Sequence, residues 1–176
     1  MDFLVVPTAG FRLLYAWFVI GHGRREILHF GVTEHPTSSW VRQQLREAFP
    51  DDTAPRFLIF DNDSIFSNRV DEAIRKLGIE PRRTAFRSPW QNGIAERWVG
   101  SARRELLDHL IVLNEHHLRR LLQEYVDYYN ADRVHTELRD APNGRAVQCR
   151  PLPEARIVGI PKVGGLHHRY EWQHAA

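Results

Sequence analysis

Phe57-Leu58-Ile59-Phe60 is a run of four apolar residues with no polar position between them, closed by Asp61-Asn62-Asp63. A strand exposed on one face would alternate apolar with polar, and a buried helix would run longer. The run therefore fits a short strand, predicted over 56–60, that is buried on both faces of a sheet. Such a strand needs helices above and below it. The flanking sequence supplies them. Ahead of it lie three strand-like runs, over 2–6, 11–20 and 26–32, separated by Pro7-Thr8-Ala9-Gly10 and Gly21-His22-Gly23-Arg24. Short turns between β-branched and aromatic runs predict an antiparallel meander. Pro36-Thr37 opens a predicted helix to about Phe49, with Trp40, Val41, Leu45 and Ala48 at helical spacing, and the segment from Pro50 to Pro55 breaks it. Beyond the apolar strand come a helix over 65–77, a strand over 79–82 and a loop over 84–93. A long helix then carries Ala95, Val99, Ala102, Leu106 and Leu110 on one face. A last helix over 115–129 turns Leu118, Leu121, Leu122, Tyr125, Tyr128 and Tyr129 inward. This order predicts an α/β chain with a mixed sheet, antiparallel first and parallel later. After Asn130 the chain becomes rich in proline and arginine, and His167-His168 reads as an unstructured surface pair.

With 176 residues and 43% hydrophobic content, the chain is long enough for one real core. Its formal net charge of +2 says little, but Lys76 and Lys162 are the only lysines. A basic complement made of arginine favours phosphate, because the planar guanidinium matches its oxygens better than a point charge does. Cys149 is the single cysteine, which excludes a disulfide framework and fits a reducing cytosol. The longest apolar stretch, Leu13 to Ile20, is too short to span a bilayer, so no membrane association and a cytoplasmic location are expected.

Three acids stand at element ends. Asp2 opens the first strand, Asp61 closes the apolar strand, and Glu96 lies on the first turn of the long helix, with thirty-four residues between it and Asp61. Phosphodiester chemistry needs stabilisation of both the attacking and the leaving oxygen, which two metals held by carboxylates provide. The residues alone also allow a plainer reading: a strand-end acid, a helix N-terminal acid placed by the dipole, and a solvated terminus. Only Met1 precedes Asp2, so fraying is expected to loosen that acid.

The words around these acids narrow the choice. Asp61-Asn62-Asp63-Ser64-Ile65-Phe66, Ser88-Pro89-Trp90-Gln91-Asn92-Gly93-Ile94-Ala95-Glu96-Arg97 and Tyr129-Asn130-Ala131-Asp132-Arg133-Val134-His135-Thr136-Glu137-Leu138 occur in order. Together with Asp2 they resemble the catalytic core of the integrase family shared by retroviral integrases and bacterial insertion-sequence transposases. The resemblance runs from residue 2 to about 150. It implies a ribonuclease-H-like mixed five-stranded sheet flanked by helices, a core over 1–140 and a Pro/Arg-rich extension over 141–176. It also implies that Asp2, Asp61 and Glu96 are catalytic and bind Mg²⁺ or Mn²⁺, as two ions, for DNA cleavage and strand transfer in transposition. DNA and further copies of the chain are the implied partners. Asp63 stands where many members have glycine, and reads as a turn residue. A helix-turn-helix region usually precedes this core.

The basic and polar residues near Glu96 are the expected DNA contacts: Arg87, Trp90, Gln91, Asn92, Arg97, Arg103 and Arg104, with Arg82 and Arg83 close by. The plainer alternatives are a solvated helix face with pairs such as Arg104–Glu105, and Trp90 as a packing anchor. Arg133 and His135 resemble the family's Arg-x-His word and read as a structural clasp for the C-terminal segment. Two further functions compete: a catalytically inactive transposase fragment that only binds DNA or partner subunits, and a ribonuclease-H-type nuclease for RNA–DNA hybrids.

Overall fold

The computed structural model describes residues 1–50, 53–85, 88–145 and 149–173. Three antiparallel strands come first: β1 (Asp2–Pro7), β2 (Leu13–Ile20) and β3 (Ile27–Thr33). Asp2 pairs with Phe18 and Pro7 with Leu13, and the β2–β3 register shifts between Val19 and Ile20. α1 (Ser38–Ala48) follows, capped by Thr37, whose hydroxyl accepts from the Trp40 amide at 3.2 Å. β4 (Phe57–Phe60) and β5 (Glu80–Arg83) pair in parallel, with α2 (Asn68–Lys76) as the crossover. α3 (Gly93–Glu105) and α4 (Glu115–Ala131) complete the body, and Asn114 caps α4 by accepting from the His117 amide at 2.9 Å.

The meander and the parallel pair match the expected order, but they do not form one continuous five-stranded ladder. The hydrogen-bonded sheets are β1–β2–β3 and β4–β5, with a third pair further on. The Met1 ammonium nitrogen reaches across from the β1 edge and donates to the Ile59 carbonyl at 2.7 Å. Two residues on, the Phe3 amide donates to its neighbour Asp2 Oδ1 at 2.7 Å. A carboxylate that captures a nearby backbone N–H removes it from the ladder.

β2 is the strand that is covered on both faces. Its even positions, Leu14, Ala16, Phe18 and Ile20, pack into one core with Ala95, Trp98 and Ala102 of α3 and Leu118, Leu122 and Tyr125 of α4. Its odd positions, Trp17 and Val19, pack into a second core with Val41 and Leu45 of α1, Leu58 and Phe60 of β4, and Val70 and Ile74 of α2. The period-two alternation of a strand produces this split. The two walls of the fold are therefore separate cores on opposite faces of the meander; β1 also meets both, with Leu4 and Val6 in the first and Phe3 packed against the second.

The inward face of α3 differs from the expected stripe. Ala95, Trp98, Ser101 and Ala102 are buried, whereas Val99 and Leu110 are only half-buried. Trp98 takes the inward position because its ring meets Phe18 at 4.2 Å between centroids and Tyr129 at 6.5 Å. The helix also stops at Glu105. Leu106 leaves helical geometry at φ −130° and ψ −65°, and a 3-10 turn over Leu107–His109 follows.

The C-terminal region is ordered as β6 (Arg156–Lys162) and β7 (His167–Gln173), an antiparallel hairpin. His167 is thus not an unstructured surface residue. Its ring stacks on Tyr128 at 4.4 Å and 7°, and its Nε2 lies 2.8 Å from the Glu105 carbonyl oxygen. Asp132, at the end of α4, draws Arg145 to 2.6 Å and both Lys162 and Arg169 to 3.7 Å. Among the described residues, no helix is long and apolar enough to cross a membrane.

Phe18 joins β2 to α3, so Phe18→Ala is expected to lower the unfolding free energy by about 3–5 kcal/mol. Urea titration will show this as a lower midpoint at unchanged slope.

Candidate functional site

The three acids come from three elements. Asp2 heads β1, Asp61 immediately follows β4, and Glu96 lies in the first turn of α3. Asp2 is held rather than frayed. Met1 is 3% exposed, and its bond to Ile59 fastens the strand start to β4. Asp2 Oδ1 accepts from the Phe3 amide, and Oδ2 accepts from Asn92 Nδ2 at 3.0 Å. Asn92 ends the 3-10 turn Pro89–Asn92 and begins α3, so the approach to the Glu96 helix is tied to Asp2.

The loop after β4 is fixed by its own side chains. Asp61 Oδ1 accepts from the Asp63 amide at 3.1 Å, and Asp63 Oδ1 accepts from the Ile65 amide at 2.9 Å. These successive Asx-type bonds give Asp63 a turn role. Asn62 Nδ2 donates to the Thr84 carbonyl at 2.7 Å and links this loop to the end of β5.

Electrostatics couples the acids. Burial pushes the Asp2 carboxyl up to about 6, with Asp61 and Glu96 raising it further, while the Phe3 hydrogen bond and the Met1 ammonium oppose the rise. Burial likewise pulls the Met1 ammonium down to about 6, against the opposing pull of Asp2 and Asp61. Asp2 therefore senses both other acids. None of the three is ion-paired to an arginine or lysine among the described residues. Asn92 Oδ1 is buried beside Asp2 with no partner among the described residues. Oxygen donors carrying uncompensated negative charge suit a hard divalent cation. The donor chemistry thus fits Mg²⁺ or Mn²⁺ at Asp2, Asp61 and Glu96, although the described side chains do not converge as a group of three metal ligands.

The expected DNA-contact residues are placed unequally. Trp90 is 72% exposed, which rules out a packing anchor. Gln91 presents Oε1 to the Ala85 amide at 2.7 Å and braces the loop, and Asn92 is buried at Asp2. Arg97 and Arg104 are exposed, and exposed Arg103 donates to the Val5 carbonyl at 3.2 Å. Arg87 lies outside the described residues. Arg83 is committed to Asp71 at 2.8 Å and Arg82 to Glu80.

Glu105 pairs with Arg133 rather than with Arg104. Arg133 Nη2 lies 2.7 Å from Glu105 Oε1, its Nε donates to Oε2 at 2.9 Å, and the Tyr125 hydroxyl donates to Oε2 at 2.9 Å. Burial alone would raise the Glu105 carboxyl, but the Arg133 bonds and charge outweigh it and hold it below its ordinary value. His135 sits 3.5 Å from Arg133 Nη1 and meets the Tyr129 ring edge-on at 4.9 Å. The Arg-x-His word thus clasps the end of α4 to α3.

Known proteins resemble the chain in sequence and in fold. Residues 77–142 match the family model described as the integrase core domain. The chain is 31% identical over 149 residues to the putative transposase InsD for insertion element IS2E of Escherichia coli (strain K12), covering 77% of this chain and 67% of that protein. It is equally identical to transposase InsD for insertion element IS2A/D/F/H/I/K of Escherichia coli, with 77% of this chain and 49% of the relative covered. The chain therefore spans two thirds of one relative and about half of the other. Among solved structures, a chain of the simian T-cell lymphotropic virus intasome superposes at a TM-score of 0.68 and 16% identity, covering 98% of this chain and 64% of that one. The catalytic core domain of BIV integrase superposes at 0.56 and 15% identity, covering 77% and 86%. The HTLV-2 integrase catalytic core domain in complex with magnesium gives 0.56 and 15%, covering 82% and 90%. These structural likenesses establish the fold.

Because its carboxyl is held above the ordinary value, folding favours protonated Asp2, and ionisation opposes the fold increasingly from about pH 4 to about pH 6. Asp2→Asn is expected to raise the unfolding free energy at neutral pH and to have no effect below about pH 4. Urea unfolding across this range, without divalent metal, measures the difference; equal stability at neutral pH would contradict the burial of this charge.

Proposed function

The chain belongs to the integrase core family that includes insertion-element transposases, and on that premise we propose that it is the catalytic core of a DDE-type polynucleotidyl transferase. Its reaction is the cleavage and joining of DNA strands in transposition. The observation that carries this reading is a half-buried Asp2 carboxyl within electrostatic reach of Asp61 and Glu96, with no cationic side chain paired to any of them among the described residues.

Two Mg²⁺ or Mn²⁺ ions held by Asp2, Asp61 and Glu96 would supply Lewis-acid stabilisation of the attacking and leaving oxygens. Asn92 orients Asp2 through its side-chain amide, and the bonded turn Asp61–Ile65 fixes Asp61. Glu96, exposed on the first turn of α3, completes the set from the solvent side, where a phosphodiester approaches. Trp90 offers an exposed ring for base stacking, with Gln91 bracing its loop. Arg97, Arg103 and Arg104 on α3, with Arg87 beside the same loop, bind backbone phosphates and position the strand. Residues 1–140 serve as the core and 141–176 as its extension. One structural neighbour is an intasome and another a trimeric integrase core, which supports a homo-oligomer as the working form.

Glu96→Gln is expected to lower Mg²⁺-dependent strand transfer by roughly 1,000-fold, the effect of losing several kcal/mol of transition-state stabilisation. Circular dichroism and thermal melting should stay unchanged, because Glu96 is exposed. A variant that still joins DNA strands at the original rate would refute the assignment.

A further inference from the structure

A cleft of about 270 Å³ opens beside α3, between the end of β2, the β2–β3 turn and the segment after α4. Its polar lining includes Arg25, Arg97, Arg133 and Glu137. Arg133 is neutralised by Glu105. The other two arginines share one acid: Arg25 Nη2 lies 2.6 Å from Glu137 Oε2, and Arg97 Nη1 lies 3.5 Å from Oε1. One carboxylate thus offers each oxygen to a different guanidinium, as a phosphate offers its oxygens to an arginine pair. One positive charge is left over.

We propose that this cleft seats a backbone phosphate of the DNA strand beside the catalytic helix, and that Glu137 occupies the seat until the strand displaces it.

Three observations support displacement by a phosphate. Glu137 is 64% exposed in its side chain and sits outside any helix or strand, so its ion pairs are of the screened kind that hold weakly. Arg25 adopts the left-handed backbone conformation at φ 62°, which is unfavourable for a residue other than glycine and is retained where a side chain must be aimed. Trp98, 1% exposed, lines the same cleft, and its indole N–H has no acceptor among the described residues. Arg97 directly follows Glu96, so a strand phosphate bound there lies next to the proposed catalytic acids. The inference rests on the DNA-processing reading, and adds to it Arg25 and Glu137, which come from outside the α3 surface.

The test uses the full chain with a chelator present, so catalysis plays no part. Fluorescence anisotropy follows binding of a labelled DNA duplex at several salt concentrations. Glu137→Gln is expected to tighten binding several-fold. Arg25→Gln is expected to weaken it and to reduce the salt slope by about 1. The gain from Glu137→Gln should disappear when Arg25 and Arg97 are both replaced by Gln, because it works by freeing that pair. Thermal melting confirms that each variant is folded. If the gain survives without both arginines, it is a general charge effect and the seat is refuted. Binding indifferent to both substitutions refutes the seat alone; no duplex binding by the parent chain refutes the functional reading with it. Inorganic phosphate that raises the melting temperature of the Glu137→Gln variant while its duplex affinity is unchanged would assign the cleft to a small phosphate and overturn the strand assignment.

Discussion

Burial of β2 on both of its faces is the constraint on which the other elements depend. Phe18 against Trp98 anchors α3 and α4 to one face, and Trp17 among Val41 and Leu45 anchors α1 to the other. Neither wall can shift without opening a void against the shared strand. The three acids inherit their positions from this arrangement. Asp2 is opposite Phe18 in the β1–β2 register, and Glu96 lies two residues before Trp98 on α3. The aromatic contact that closes one core therefore also sets the distance between the first strand and α3.

At the seam between the two sheets, stability and proposed function pull in opposite directions. Asp2 is half-buried near two further acids, an arrangement that raises its carboxyl and favours the neutral form. The surroundings compensate in part. The Phe3 amide and Asn92 both donate to the carboxylate, and the Met1 ammonium lies nearby. These contacts orient Asp2 without cancelling its charge, which is the condition a cation site requires.

Much of the α/β order was legible because the apolar patterns are strong. The uniform run Phe57–Phe60 and the long run through Phe18 became strands, although Phe57 is 40% exposed and its strand is not buried on both faces as expected, and α1 began directly after the Pro36-Thr37 signal. The inward face of α3 was harder to read. Val99 fits an apolar stripe as well as Trp98 does, and only the Phe18 ring across the gap selects the tryptophan. His167 was equally illegible, since its partners Tyr128 and the Glu105 carbonyl lie far away along the chain. Arg25 and Glu137 escaped notice for the same reason: 112 positions separate them.

The sequence by itself determined the element order, the family resemblance and the identity of the three candidate acids, because these reside in local periodicity and in contiguous words. Only the tertiary structure decided how those acids are held, that Asn92 faces Asp2 rather than solvent, which arginines are already paired, and that the C-terminal residues form a hairpin on α4. Each of these depends on distances between residues remote in sequence. Charge pairing and burial act through space, and no local pattern along the chain encodes which carboxylate an arginine will meet.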